Sequence, residues 1–221
     1  MTCLIERRHL VMSSTALAAS AALPGAADAQ ARKVLIIASN QDVPNFDPHV
    51  ATGYSSAMLL RNVYDSLVRV EGSPVRAVPH LAESWTVSAD GLEYVFKLNP
   101  AAKFHDGTPV DAAAVQYSFA RILRQAKGNS WMIAGIVGPQ SVSVVDPTTV
   151  RFRLLTPYAA FLQVLPWQWI VNPKEVEANK GADDGQAYLR ATIAGSGAFR
   201  IKRAEPGNLY EFERVANGWR T

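Results

Sequence analysis

The chain of 221 residues has one cysteine, four histidines and no apolar run long enough to cross a bilayer comfortably. The cysteine is Cys3, at the far N-terminus, so the remainder has no disulfide, no thiolate nucleophile and no cysteine-held metal. Beyond residue 31 the histidines are His49, His80 and His105, tens of residues apart and without an i, i+4 partner. That spacing gives neither a metal site nor an acid–base pair, and each is read as a turn residue. Phosphate-cradling loops of the G-x-x-x-x-G-K kind are missing. Gly195-Ser196-Gly197 lacks the spacing of a G-x-S-x-G nucleophile elbow. Charge is sparse and mixed, with 22 Lys and Arg against 19 Asp and Glu for a net +3, and the basic residues form no cluster. A nucleic-acid surface is therefore excluded, and neither an enzyme, a cofactor nor a metal is expected.

What is present begins with an export signal. Arg7 and Arg8 precede an apolar run from Leu10 to Leu23, then Pro24, Gly25 and small-residue cleavage sites at Ala27-Asp28-Ala29 and Ala29-Gln30-Ala31. Residues 1–31 are accordingly read as a signal peptide. The arginine pair resembles a twin-arginine signal in part, with general secretion as the other route. No cysteine stands at the cleavage site to take a lipid anchor, so a soluble periplasmic protein is expected.

The strongest pattern downstream is residues 79–107, PHLAESWTVSADGLEYVFKLNPAAKFHDG. Leu92, Tyr94, Phe96 and Leu98 alternate as on a half-buried strand, and Ser88-Ala89-Asp90-Gly91 supplies the turn before them. Asp111 stands where an N-cap would, ahead of a helical stripe of Val115, Phe119, Ile122 and Leu123 ending near Gln125. Residues 34–39, VLIIAS, read as a buried first strand. A helix capped by Ser55 or Ser56 follows, with Met58, Leu59, Val63 and Leu67 on one face, and residues 71–79 read as a loop. Further on, residues 141–145 and 150–154 read as a hairpin around Asp146-Pro147-Thr148-Thr149. A short helix after Pro157, one or two helices in 174–189 and a final hairpin after Gly195-Ser196-Gly197 complete the reading. Trp131, Trp167 and Trp169 fall in loops or at element ends, where an indole lines a cleft as readily as it plugs a core. Trp85 and Trp219 read as structural.

Several spaced elements together resemble the extracellular solute-binding proteins of the oligopeptide, dipeptide and nickel class. They are Asp47-Pro48-His49, Leu81-Ala82-Glu83-Ser84-Trp85, Asp90-Gly91-Leu92, and the run from Lys103 through Phe104-His105-Asp106-Gly107 to Thr108-Pro109. The resemblance implies a periplasmic substrate-binding component of an ABC importer, closing on a peptide or other small solute and delivering it to permease subunits. It implies a mixed α/β, two-lobe fold of the periplasmic binding protein kind. Residues 65–172 would be a small lobe and residues 32–64 with 173–221 an incomplete large one. The chain would stand for the N-terminal portion, with the second large lobe absent. By the same resemblance Thr52, Gly53 and Tyr54, then Trp131, then Trp167, Gln168 and Trp169 face the ligand. The alternative is a truncated product that acts only through interaction and captures nothing; an exported hydrolase would need a nucleophile–base pair that three dispersed histidines do not provide.

Overall fold

A computed structural model describes residues 34–43 and 45–220. The expected signal peptide, with Cys3, Arg7 and Arg8, lies outside the described residues. Residues 34–38 fall in one compact unit and residues 39–221 in a second. The expected first strand is not one. Residues 34–39 take no regular structure, and Val34, Leu35, Ile36 and Ile37 are 77–87% exposed. An extended run becomes a strand only when a neighbour satisfies its rows of N–H and C=O groups, and no ladder among the described residues includes this one.

In the larger unit, α1 (Tyr54–Val63) starts after Gly53, whose φ of 95° suits glycine, so neither Ser55 nor Ser56 is the cap. Its buried face is Ser56, Ala57, Leu60 and Val63, one step round from the face expected. The chain then forms a hairpin of β1 (Val68–Glu71) and β2 (Arg76–Pro79), which occupies most of the presumed loop. Both strands are largely exposed, so the alternation that marks a strand is weak there.

The signature stretch gives β3 (Ala82–Val87) and β4 (Glu93–Leu98), with Tyr94, Phe96 and Leu98 buried at period two. Asp111 caps α2 (Ala112–Gln125) by accepting the Ala114 N–H at 2.8 Å. After a 3-10 turn (Gly128–Met132), β5 (Val142–Asp146) and β6 (Thr149–Arg153) close a four-stranded antiparallel sheet of order β3-β4-β6-β5. Helix α2 lies on this sheet. Phe152 sits at the centre of its core, with ring centroids 4.8 Å from Phe119, 5.5 Å from Phe96 and 5.6 Å from Phe161.

Helix α3 (Phe161–Val164) begins later than Pro157 and runs into a 3-10 turn (Leu165–Trp167). Helices α4 (Pro173–Ala178) and α5 (Gln186–Ala191) precede the last hairpin, β7 (Phe199–Glu205) and β8 (Leu209–Arg214). Buried apolar residues fall into two clusters: one runs from Leu67 to Ile170, and the other joins residues 43–64 to 169–194.

The segment between α5 and β7 crosses the end of α1 at very short range. A Cβ on Gly195 would lie 2.0 Å from the Val63 carbonyl oxygen, and one on Gly197 would lie 2.4 Å from that of Asn62. Only glycine fits either position. The contact carries a hydrogen bond from Gly197 N–H to Val63 C=O at 3.0 Å.

Candidate functional site

Of the three segments expected to face a ligand, those of Trp131 and of Trp167–Trp169 meet in space, whereas Thr52, Gly53 and Tyr54 do not line the groove between them. Thr52, Gly53 and Tyr54 lie at the entry to α1, exposed, with Tyr54 73% accessible. The residues before them pack against the turn that carries Trp131: a Cβ on Gly128 would lie 2.7 Å from the His49 carbonyl oxygen. Gln168 donates from Nε2 to the Asn129 carbonyl at 3.2 Å, which ties the third segment to the same turn.

Trp131 (69% exposed) and Trp167 (38% exposed) border a cavity of about 440 Å³ that also touches Met132, Tyr158, Gln163 and Val164. No residue lining it carries a charge. Gln168 and Trp169 are placed differently, both buried behind this wall; the Trp169 ring is 6.5 Å from that of Trp167 and belongs to the second core.

Beneath these segments lies a group that sequence reasoning missed. Arg121, on α2, is fully buried and clasps Asp47 with both arms of its guanidinium, Nη1 to Oδ1 at 2.8 Å and Nη2 to Oδ2 at 2.6 Å. Its Nη1 also donates to His49 Nδ1 at 2.9 Å and its Nε to the Asp184 carbonyl at 2.9 Å. Arginine has only donors, so His49 Nδ1 is an acceptor and the ring proton sits on Nε2, donating to the Trp169 carbonyl at 2.9 Å. Burial pushes the His49 pKa down to about 4; Arg121 adds to that and Asp47 opposes it. Burial also works against the charge on Arg121, but Asp47 outweighs it and the guanidinium is held more firmly protonated. Ser118, one turn earlier on α2, accepts the Val171 N–H at 3.0 Å. The signal for Arg121 was its place beside the apolar stripe of α2, on the line of Ala114 and Ser118.

A second buried carboxylate, Asp65, gathers His80 Nε2 at 2.9 Å, Ser196 Oγ at 2.9 Å, Trp219 Nε1 at 3.3 Å and Arg220 Nη2 at 2.9 Å. Burial alone would raise its pKa, but His80, Arg220 and Ser196 hold it below the usual value. Serine, histidine and aspartate do therefore come together, in the wrong order for nucleophilic catalysis. The carboxylate stands between the other two, and Ser196 donates to it rather than to a base. His105 bonds through Nε2 to the Gly197 carbonyl at 2.9 Å. Among the described residues no group of three or more potential metal ligands occurs, and no helix is long and apolar enough to cross a membrane.

Comparison with known proteins finds relatives of this sequence and fold. The family described as bacterial extracellular solute-binding proteins, family 5, matches residues 76–221. The probable D,D-dipeptide-binding periplasmic protein DdpA of Escherichia coli (strain K12) is 31% identical over 94% of this chain and 42% of its own length. Among solved structures, MoaA of Agrobacterium tumefaciens R10 in complex with mannopinic acid is 30% identical, with a TM-score of 0.68, over 81% of this chain and 36% of that one. DppA from Helicobacter pylori in complex with the peptide STSA shares the fold at a TM-score of 0.70 and 24% identity, over 80% of this chain and 38% of that one. The chain thus spans about two fifths of the length of these relatives. The named relatives are binding proteins, and the mixed α/β architecture is theirs.

Proposed function

Because the chain belongs to the bacterial extracellular solute-binding proteins of family 5, we propose that it supplies one wall of a solute-capture site in the periplasmic binding component of an ABC importer. The solute is a peptide or a related small molecule, handed on to the permease subunits at the membrane. Residues 65–172 act as one lobe, which carries the groove, and residues 39–64 with 173–221 act as part of the other. Export through the N-terminal signal brings the chain to the periplasm.

The observation that carries this reading is the meeting of two expected segments, at Trp131 and at Trp167, on one uncharged, aromatic groove of about 440 Å³, within the usual range of small-ligand sites. Trp131 and Trp167 offer exposed rings to the solute. Thr52, Gly53 and Tyr54 contribute the rim, and Gln168 and Trp169 act from behind as its support. An uncharged wall favours neutral and apolar parts of a solute, because a charged group placed there would lose water without gaining a partner. The names of the relatives support a solute of this size: a D,D-dipeptide for DdpA, mannopinic acid for MoaA and the peptide STSA for the H. pylori protein.

Calorimetric titration of the chain with trialanine, D-alanyl-D-alanine and mannopinic acid tests the proposal. Saturable heat with at least one of them is expected, weakened about tenfold in Trp131→Ala, the scale of a lost aromatic contact. Saturable binding that is unchanged in both Trp131→Ala and Trp167→Ala would move the site elsewhere. No heat with any of the three would remove the capture reading.

A further inference from the structure

We propose that Arg121 is the positioning residue of the capture site: its guanidinium, through Asp47 and His49, fixes the loops that form the wall relative to one another. The inference rests on the capture reading for its functional meaning, though not for its geometry. Asp47 and His49 belong to the loop that leads into Thr52, Gly53 and Tyr54. His49 passes the connection to the Trp169 carbonyl at 2.9 Å, next to Trp167 and Gln168. The His49 carbonyl is also the surface on which Gly128, at the start of the Trp131 turn, is packed. One side chain, on the rigid α2, therefore holds the loop before Thr52 directly and reaches the segments of Trp131 and Trp167 through His49.

Stability is a poor explanation for this arrangement. A buried ion pair regains little beyond the cost of desolvating its charges, and apolar replacements of similar volume are often as stable. What the pair does supply is direction. A two-pronged guanidinium–carboxylate contact admits one relative orientation, and the Asp47 carboxylate is further constrained because its Oδ1 accepts the His49 N–H at 3.0 Å. Tryptophan rings on a wall held in this way keep their geometry without a ligand present, which lowers the ordering cost of binding.

The test compares the whole chain with Arg121→Lys, which keeps charge but loses the fork, with His49→Gln, whose amide can replace both ring contacts, and with the double variant Asp47→Leu/Arg121→Met. Amide hydrogen exchange is read at Ala51, Ser130, Ile133, Gln168 and Ile170, all bonded in loops or turns, and in the strands β4 and β6. Arg121→Lys and the double variant are expected to speed exchange at these loop amides about tenfold together while the strands stay protected. His49→Gln is expected to keep most of the wild-type protection. Wild-type loop protection in a folded double variant, or protection lost equally in the strands, would overturn the proposal. Titration with trialanine in the same variants separates the two readings. Loss of affinity together with loop protection supports both, and an unchanged affinity would overturn the positioning role. If the wild-type chain takes up no trialanine, D-alanyl-D-alanine or mannopinic acid, the capture reading falls and the exchange result alone decides the role of Arg121.

Discussion

Acid should loosen the protein through His49, by an amount that follows from its surroundings. The ring is 2% exposed, accepts a hydrogen bond from Arg121 on Nδ1 and has a pKa near 4. A proton added to Nδ1 would face the guanidinium and break that bond. The unfolded chain, with an ordinary histidine pKa, takes the proton first, so stability present above about pH 6.5 is lost as pH falls towards 4. A drop of that size, at about 1.4 kcal/mol per pH unit, amounts to about 3 kcal/mol. Urea unfolding followed by tryptophan fluorescence at pH 7, 6, 5 and 4.5 measures it. His105 is also lowered by burial and acts in the same direction, so the decisive quantity is the difference between the wild type and His49→Gln. The wild type should lose about 2–3 kcal/mol more than the variant over this range. Parallel curves for the two proteins would refute the account of His49 as a buried neutral acceptor.

Other substitutions probe separate parts of the frame. Gly197→Ala would force a methyl group to 2.4 Å from a backbone oxygen, a clash that no side-chain rotation relieves; the yield of folded protein should collapse, or the urea midpoint fall by the equivalent of more than about 2 kcal/mol. Phe152→Ala, at the centre of four packed rings, should cost about 3–5 kcal/mol in the same assay. Asp111→Ala removes the α2 cap and should cost about 1 kcal/mol, with Asp111→Asn or Asp111→Ser recovering most of it.

Legibility in the sequence followed the range of the interactions. The β3–β4 hairpin and α2 were readable because alternation, turn residues and an N-cap all act within a few positions. The β1–β2 hairpin was missed because its residues are largely exposed and offer no apolar pattern. The expected strand at 34–39 failed for the opposite reason: its apolar pattern is strong, but a pattern does not supply a ladder partner. At the site, Trp131 and Trp167 were visible as aromatic residues in loops. The contacts of Arg121 were not, since its partners Asp47 and His49 lie 74 and 72 positions away, and nothing local marks a buried ion pair. Gln168 and Trp169 were read as equivalent to Trp167, whereas the chain turns them inward after the 3-10 turn.

The two cores also differ in when a ribosome completes them. Every buried member of the first lies between Leu67 and Ile170, whereas the second needs Leu189 and Ala194 and is packed by Ile201 and Phe212. At about 5–20 residues per second, roughly 2–8 s of synthesis separate position 170 from position 212. Throughout that interval Leu60 and Val63 on α1 are already made and still lack the partners that later bury them completely. The nascent chain therefore carries a sheet-and-helix body beside a helix whose apolar face stays open until the glycine crossing at 195 and 197 closes over it.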